Sequence, residues 1–209
     1  MPGYGQLLET VERWRRFPGR ERLRGECFAL TFDDGPDPDA TPAVLDALEV
    51  PATFFVVGEQ LLLHNELGKE IVDRGHAVGL HGFAHIEHDT LIDPRDDLRR
   101  GLDAVEAACG VRPALFRPPY GRFSETSYTA CTELGLEPVY WSSWAMDWEP
   151  LPPARLVDLV TRDLEAGAIV LLHDSPRYAE RSSAKPTAEA VPAIVEAARE
   201  RELRPVTLG

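Results

Sequence analysis

Two adjacent aspartates end a short apolar segment near the start of the chain, where residues 29–36 read ALTFDDGP. An apolar run that stops at two acids and a Gly-Pro turn predicts a buried strand that delivers Asp33 and Asp34 to the edge of a sheet. Neighbouring carboxylates repel each other, so one of them is usually neutralised by a cation or a proton. If a divalent metal binds one aspartate, the other stays free to act as a base. The rest of the chain should then supply neutral nitrogen ligands.

Apolar, β-branched segments alternate with helical patterns along the chain. The predicted strands are Cys27–Phe32, Ala52–Val57, His76–Leu80, Ala114–Arg117, Pro138–Trp141, Ala168–Leu172 and Pro205–Leu208. The predicted helices are Thr41–Leu48, Glu59–Arg74, Pro94–Cys109, Ser124–Leu134, Pro153–Ala166 and Thr187–Arg201. This alternation implies parallel strand pairing through right-handed crossovers. Because polar residues repeatedly follow the strands, we predict an α/β fold, a distorted and incomplete TIM-like (β/α) barrel of about seven parallel strands, with its active site at their carboxyl ends.

The length of 209 residues suits one sizeable domain, which we place at residues 26–209. Residues 1–25 are predicted to form a helical extension packed outside the barrel, with Leu7, Leu8, Val11 and Trp14 on one face. A net charge of −13 argues against nucleic acid and anionic membranes as partners, because both bind cationic surfaces.

The chain has three cysteines without CxxC spacing, which favours free thiols in a reducing compartment over a disulfide framework. Neither a secretory leader nor an apolar run long enough to span a membrane is evident. As written, the sequence predicts a cytoplasmic protein. An extracytoplasmic protein whose leader has been removed would look the same.

His81 and His85 lie four residues apart in the segment HGFAH, directly after the third predicted strand. On a helical turn this spacing aims two imidazoles at one point. Two histidines and one carboxylate form a facial metal site that leaves positions open for water and substrate. His88 is a possible competing ligand, but its neighbours Glu87 and Asp89 favour a solvated loop.

Three further features follow other predicted strands. His173 emerges at the end of a buried strand, which makes it a candidate general acid. Arg117 precedes two prolines that fix its backbone, and Asp33 is the candidate partner for its guanidinium. Trp141 is interpreted as a core residue, and at least one of Trp144 and Trp148 is expected to form a wall of the pocket, because indole stacks well on sugar rings.

These residues, in this order, resemble the polysaccharide deacetylase family, the NodB-homology domain of carbohydrate esterase family 4. The resemblance runs from about residue 26 to the end of the chain and rests on five motifs. They are Thr31–Gly35 (TFDDG), His81–His85 (HGFAH), Arg117–Tyr120 (RPPY), Trp144–Trp148 (WAMDW) and Val170–His173 (VLLH).

The resemblance implies a distorted barrel that removes N- or O-acetyl groups from a carbohydrate partner. It implies that zinc, or alternatively cobalt, nickel or manganese, is bound by Asp34, His81 and His85. By the same resemblance Asp33 is the general base, positioned by Arg117, and His173 is the general acid. The backbone N–H of Tyr120 would stabilise the oxyanion, and the expected substrate contacts are Trp144, Trp148 and Leu171.

Two positions depart from the family pattern. Trp144 stands where many relatives have an aspartate that pairs with the acid histidine, and Asp147 or Asp174 could take over that role. Gly82 stands where serine or threonine is usual, which removes a hydroxyl that would brace the loop between the two histidines. Two alternatives stay open. Trp144 and the missing acidic partner suggest a catalytically weak carbohydrate-binding homologue, and the absence of an export signal suggests a hydrolase of a small non-sugar amide or imide.

Overall fold

A single parallel sheet organises the protein, in a computed structural model that describes residues 15–209. Its strands are β1 (Cys27–Asp33), β2 (Ala52–Val56), β3 (Ala77–Leu80), β4 (Leu115–Phe116), β5 (Glu137–Pro138), β6 (Ser143–Trp144), β7 (Ala168–His173) and β8 (Arg204–Pro205). Seven strands follow the order β5-β4-β3-β2-β1-β7-β6, and β8 pairs with β1. The sheet curls into a half-barrel that ends at β5 and β6, which confirms the predicted incomplete barrel.

The register of the central strands positions the site. Asp33 at the end of β1 is the direct partner of His173 at the end of β7, and on its other side it is the partner of Phe55 in β2. All seven residues of β1 are buried, as expected for a strand covered on both faces. Residues that follow β1 and β7 therefore emerge side by side at the carboxyl edge of the sheet.

Helices connect the strands and cover the sheet. They are α1 (Ala40–Ala47), α2 (Gly58–Leu63), α3 (Asn65–Asp73), α4 (Pro94–Cys109), α5 (Glu125–Glu133), α6 (Pro153–Arg162) and α7 (Lys185–Glu200). Helix α4 has the bounds that the sequence predicts. Its first turn is capped by the Asp93 carboxylate, which accepts a hydrogen bond from the Asp96 N–H at 3.0 Å, and Gly110 ends it in a left-handed conformation.

Four predicted elements differ from the structure by more than two residues. The last strand is Arg204–Pro205 and not Pro205–Leu208, and the helix predicted at Pro153–Ala166 ends at Arg162. The helix predicted at Glu59–Arg74 is two helices, α2 and α3, because His64 leaves the helical conformation at φ −138° and ψ 52°. The strand predicted at Pro138–Trp141 stops at Pro138, and the two-residue strand β6 follows. Strands this short carry no recognisable alternation of apolar and polar residues.

The segment before β1 lies along the sheet. Arg20 forms a single parallel bridge with Val139, and Arg22 forms an antiparallel bridge with Ala168. The residues of the predicted N-terminal helix face, Leu7 to Trp14, lie outside the described residues. Within residues 15–209, no helix has the length and apolarity needed to cross a membrane.

Candidate active site and metal centre

A pocket of about 240 Å³ opens at the carboxyl ends of the strands. Nine of the ten predicted site residues line it, and the tenth, Arg117, lies buried beside Asp33. The lining residues are Asp33, Asp34, His81, His85, Pro118, Tyr120, Gly121, Trp141, Trp144, Trp148, Leu171, His173 and Tyr178. The structure thus brings together side chains from segments that are far apart in sequence.

Three of these side chains form a possible metal centre. The Oδ1 atom of Asp34 lies 3.0 Å from Nε2 of His85 and 3.4 Å from Nε2 of His81. Donor atoms that bind zinc tetrahedrally at about 2.1 Å are separated by roughly 3.4 Å. The three residues therefore fit a divalent cation and leave room for additional ligands.

The hydrogen bond of one imidazole and the pKa of the other suit metal binding. The Nδ1 atom of His81 lies 2.7 Å from the carbonyl oxygen of Arg117, which can only accept, so Nδ1 donates this hydrogen bond and Nε2 is the nitrogen that lies towards Asp34. Burial lowers the pKa of His85, which favours the neutral ring that a ligand requires. For Asp34, burial alone would raise the pKa, but His173, His81 and His85 outweigh it, and the carboxyl is ionised.

The two candidate metal-binding histidines converge from a tight loop, so the helical turn expected from their spacing is wrong. Residues 81–85 contain no helical turn, and Gly82 has a φ of +86°. His88 also differs from the expected solvated loop. It is fully buried, and its Nε2 atom lies 3.2 Å from Oδ2 of Asp97.

Asp33 and Arg117 form a buried ion pair. The Arg117 Nη1 atom donates to Oδ1 of Asp33 at 2.7 Å and to the hydroxyl of Thr31 at 2.7 Å. Its Nη2 atom donates to the carbonyl oxygen of Tyr140 at 2.9 Å. The guanidinium also stacks on the ring of Phe55, 4.2 Å from the centroid. These contacts immobilise one carboxylate oxygen of Asp33, while the other, Oδ2, lies 3.9 Å from Nε2 of His81.

His173 pairs with Asp147, which settles which carboxylate contacts this histidine. The Oδ1 atom of Asp147 lies 2.7 Å from Nδ1 of His173. Burial alone would lower the pKa of His173, but Asp147 and Asp34 outweigh it and raise the pKa to about 9. Asp174 instead accepts hydrogen bonds from the Gly35 N–H at 3.1 Å and the Thr41 hydroxyl at 2.6 Å.

Backbone strain is concentrated at this site. Among the described residues other than glycine, positive φ values occur at Asp34 (81°), Tyr120 (60°), Met146 (54°) and Glu202 (58°). The first two line the pocket, and Met146 directly precedes Asp147. Left-handed backbone in such residues costs of order 1–3 kcal/mol each and is typical of functional sites.

Aromatic side chains form one wall of the pocket. The rings of Trp144 and Trp148 lie 5.3 Å apart, and Trp148 meets His173 edge-to-face at 5.7 Å. Trp144 and Leu171 are direct partners on β6 and β7, and both are almost completely buried. The wall is therefore rigid and apolar beside the candidate acid.

Tyr178 is a pocket residue that the sequence did not reveal. Its ring stacks on His85 at 3.9 Å and 9°, and its hydroxyl accepts a hydrogen bond from Nε2 of Gln60 at 3.2 Å. Tyr120 contacts the same imidazole edge-to-face at 4.8 Å. Tyr178 lies in an irregular segment after β7, where no periodicity or motif spacing marks a functional residue.

Comparison with known proteins agrees with this architecture. The family model described as Polysaccharide deacetylase matches residues 20–139. A chitooligosaccharide deacetylase from Bradyrhizobium sp. is 38% identical over 160 residues, covering 73% of each chain. A peptidoglycan-N-acetylglucosamine deacetylase from Bacillus cereus is 34% identical over 165 residues, covering 75% of each chain.

A solved structure shows the same fold. The crystal structure of a peptidoglycan N-acetylglucosamine deacetylase bound to an N-hydroxybenzamide compound has a TM-score of 0.84 and 28% sequence identity. The match covers 90% of this chain and 89% of that one. The chain belongs to the polysaccharide deacetylase family, carbohydrate esterase family 4. It is an enzyme of the class that hydrolyses carbon–nitrogen bonds other than peptide bonds.

Proposed function

We propose that this enzyme removes the acetyl group from N-acetylglucosamine units of a carbohydrate, with a divalent cation, zinc in the first place, held by Asp34, His81 and His85. The proposal is supported by the side chains that line a single pocket. A two-histidine, one-carboxylate donor set shares the pocket with Asp33, which pairs with Arg117, and with His173, which pairs with Asp147. When bound, the cation would acidify a coordinated water and polarise the acetyl carbonyl.

Asp33 is the general base in this proposal. Arg117 occupies its Oδ1 atom, so Oδ2 is the oxygen that can take a proton from the attacking water. The ion pair with Arg117 also prevents Asp33 from turning towards the cation site. Proton removal by a positioned group is typically worth about 10²–10⁴ in rate.

His173 is the general acid. Its Nδ1 atom is held by Asp147, so Nε2 is the nitrogen that can donate a proton to the departing amine. With a pKa of about 9, the ring carries that proton at neutral pH. His173 and Asp33 line the same pocket, so the acid and the base face one substrate site.

The remaining groups would hold the acetyl group and the sugar. Tyr120 lines the pocket and has a left-handed backbone conformation, and its N–H is proposed to donate to the developing oxyanion. Leu171 and Trp144 would contact the acetyl methyl group, and Trp148 would stack against the sugar ring.

Both substrate types named for the relatives contain N-acetylated sugar units, and the negative charge of this chain favours the uncharged chitooligosaccharides over anionic glycans. The test is acetate release from chitooligosaccharides and from peptidoglycan fragments by the zinc-loaded protein. We expect release from chitooligosaccharides, and a loss of about 10²–10⁴ in kcat in the variant Asp33→Asn.

The matched control is Asp39→Asn, which makes the same charge change at an exposed position close to the same loop. It should retain wild-type activity. Acetate release that is unchanged in Asp33→Asn would overturn the proposed base. A wild-type protein that binds the sugars but releases no acetate would overturn the proposed function.

A further inference from the structure

One carboxylate of helix α4 anchors the loop that carries both candidate imidazole ligands. The Oδ2 atom of Asp97 accepts a hydrogen bond from the Phe83 N–H, and Oδ1 accepts one from the Ala84 N–H, each at 3.0 Å. These two amides lie between His81 and His85. The carboxylate therefore fixes the peptide segment that sets the separation of the two rings.

Asp97 is itself held in place. Its side chain is buried, and Nε2 of the fully buried His88 lies 3.2 Å from Oδ2. Burial alone would raise the pKa of Asp97, but His88 and the two amides outweigh it and lower the pKa. An ionised carboxylate can accept at both oxygens, which is what two parallel N–H donors require.

Gly82 lies beside the Asp97 carboxylate and has little room for a side chain. With a φ of +86°, the residue has a conformation that favours glycine, and an added Cβ would lie 2.9 Å from the Ala84 carbonyl oxygen and 3.1 Å from Oδ2 of Asp97. A side chain at position 82 would therefore crowd the Ala84 carbonyl oxygen and would require Asp97 to shift by a few tenths of an ångström. Glycine at this position leaves the carboxylate of Asp97 free to contact the loop amides as observed.

We propose that Asp97 is a positioning residue for the metal ligands His81 and His85, with His88 orienting its carboxylate. The proposal rests on the proposed function to the extent that these imidazoles bind a cation. Residues that orient metal ligands typically contribute about 10- to 100-fold to metal affinity. Loss of the anchor should therefore weaken zinc binding even where the fold is retained.

The test compares Asp97→Asn with Asp103→Asn, an exposed aspartate on the same helix. The asparagine side chain has one acceptor oxygen, so one of the two loop amides loses its partner. Hydrogen exchange of the Phe83 and Ala84 amides in the metal-free protein should become about tenfold faster, and the zinc Kd should rise about tenfold in competition with a chromophoric chelator. Both quantities should stay at wild-type values in Asp103→Asn.

A second variant, His88→Phe, keeps a ring against Phe116 and removes only the contact with Asp97. In this variant the Phe83 and Ala84 amides should also exchange faster and the zinc Kd should also rise, each by a smaller factor than in Asp97→Asn. Unchanged exchange at both amides in Asp97→Asn, or faster exchange with an unchanged zinc Kd, would overturn the positioning role. If the wild-type protein binds no zinc, the proposed function fails, whereas the exchange data still report on the anchor.

Discussion

Asp147 holds both the ring and the backbone of His173. Its Oδ1 atom lies 2.7 Å from Nδ1 of the imidazole, and its Oδ2 atom accepts the His173 backbone N–H at 2.9 Å. Thr187 donates to the same Oδ2 atom at 2.7 Å, and Arg181 lies 3.4 Å from it. The carboxylate is fully buried, which strengthens these contacts relative to the same contacts in water.

The variant Asp147→Asn should lower activity and shift its pH dependence. Without the negative charge the pKa of His173 falls from about 9, because Asp147 is the group that raises it most. We expect kcat at pH 8 to fall by about 10- to 100-fold and the basic limb of the pH–rate profile to move to lower pH. Asp158→Asn, on the exposed side of α6, is the control. An unchanged basic limb in Asp147→Asn would contradict the pairing.

The same pair predicts how the stability of the metal-free protein depends on pH. The folded pKa of His173, about 9, lies above the ordinary 6.5, so its contribution is complete below pH 6.5 and is lost as pH rises through 9. The folded pKa of Asp147, about 2, lies below the ordinary 3.8, so its contribution is complete above pH 3.8 and is lost as pH falls towards 2.

The contribution of the pair is therefore greatest between pH 3.8 and 6.5. Urea unfolding of wild-type protein and His173→Gln in the presence of a chelator measures it. The difference in unfolding free energy should be largest near pH 6 and should shrink above pH 9. A difference that is constant across this range would contradict the raised pKa.

Gly82→Ala should destabilise the protein more than Gly110→Ala. Both glycines have positive φ values, +86° and +69°, so an alanine pays the left-handed conformational cost of about 1–2 kcal/mol at either position. At Gly110 the new Cβ meets nothing within 4 Å, whereas at Gly82 it meets Ala84 and Asp97. Overpacking should add about 1–3 kcal/mol at position 82 in denaturant unfolding. Equal losses of unfolding free energy in Gly82→Ala and Gly110→Ala would contradict this prediction, because they would show that the loop around position 82 relaxes to accommodate the new Cβ.

Tyr178 should affect zinc affinity through its ring and not through its hydroxyl. Stacked aromatic pairs are worth about 0.5–1.5 kcal/mol, so Tyr178→Leu should raise the zinc Kd roughly two- to tenfold. Tyr178→Phe retains the ring over His85 and should bind zinc like the wild type. The comparison is made by zinc titration against a chromophoric chelator. Equal effects of the two variants would assign the role to the Gln60 hydrogen bond instead.

The strand-end chemistry of this fold could be predicted from sequence because it depends on local pattern. Two buried strands end at Asp33 and His173, and a third is followed directly by His81, so these side chains must reach one edge of a parallel sheet. The pairing of Asp33 with Arg117 also followed, since two prolines limit where that arginine can point. The half-barrel and the convergence of the three candidate metal ligands could therefore be predicted from the sequence.

Other features depend on packing that no local pattern encodes. Asp174 directly follows His173 in sequence, yet it turns to Thr41, and the partner of His173 is Asp147, which comes 26 residues earlier. His88 has charged neighbours and is nevertheless buried against Asp97, because helix α4 packs over the loop. These contacts are set by the tertiary fold, and sequence spacing alone left them open or misassigned them.

Metal content is the most direct test of the central claim that Asp34, His81 and His85 share one cation. The protein is loaded with zinc, separated from free metal by gel filtration and measured by mass spectrometry for wild type, His81→Ala and the control His64→Ala, whose histidine lies at the break between α2 and α3. We predict a single equivalent of zinc in wild type and His64→Ala, and almost none in His81→Ala. A full equivalent retained by His81→Ala would contradict the account.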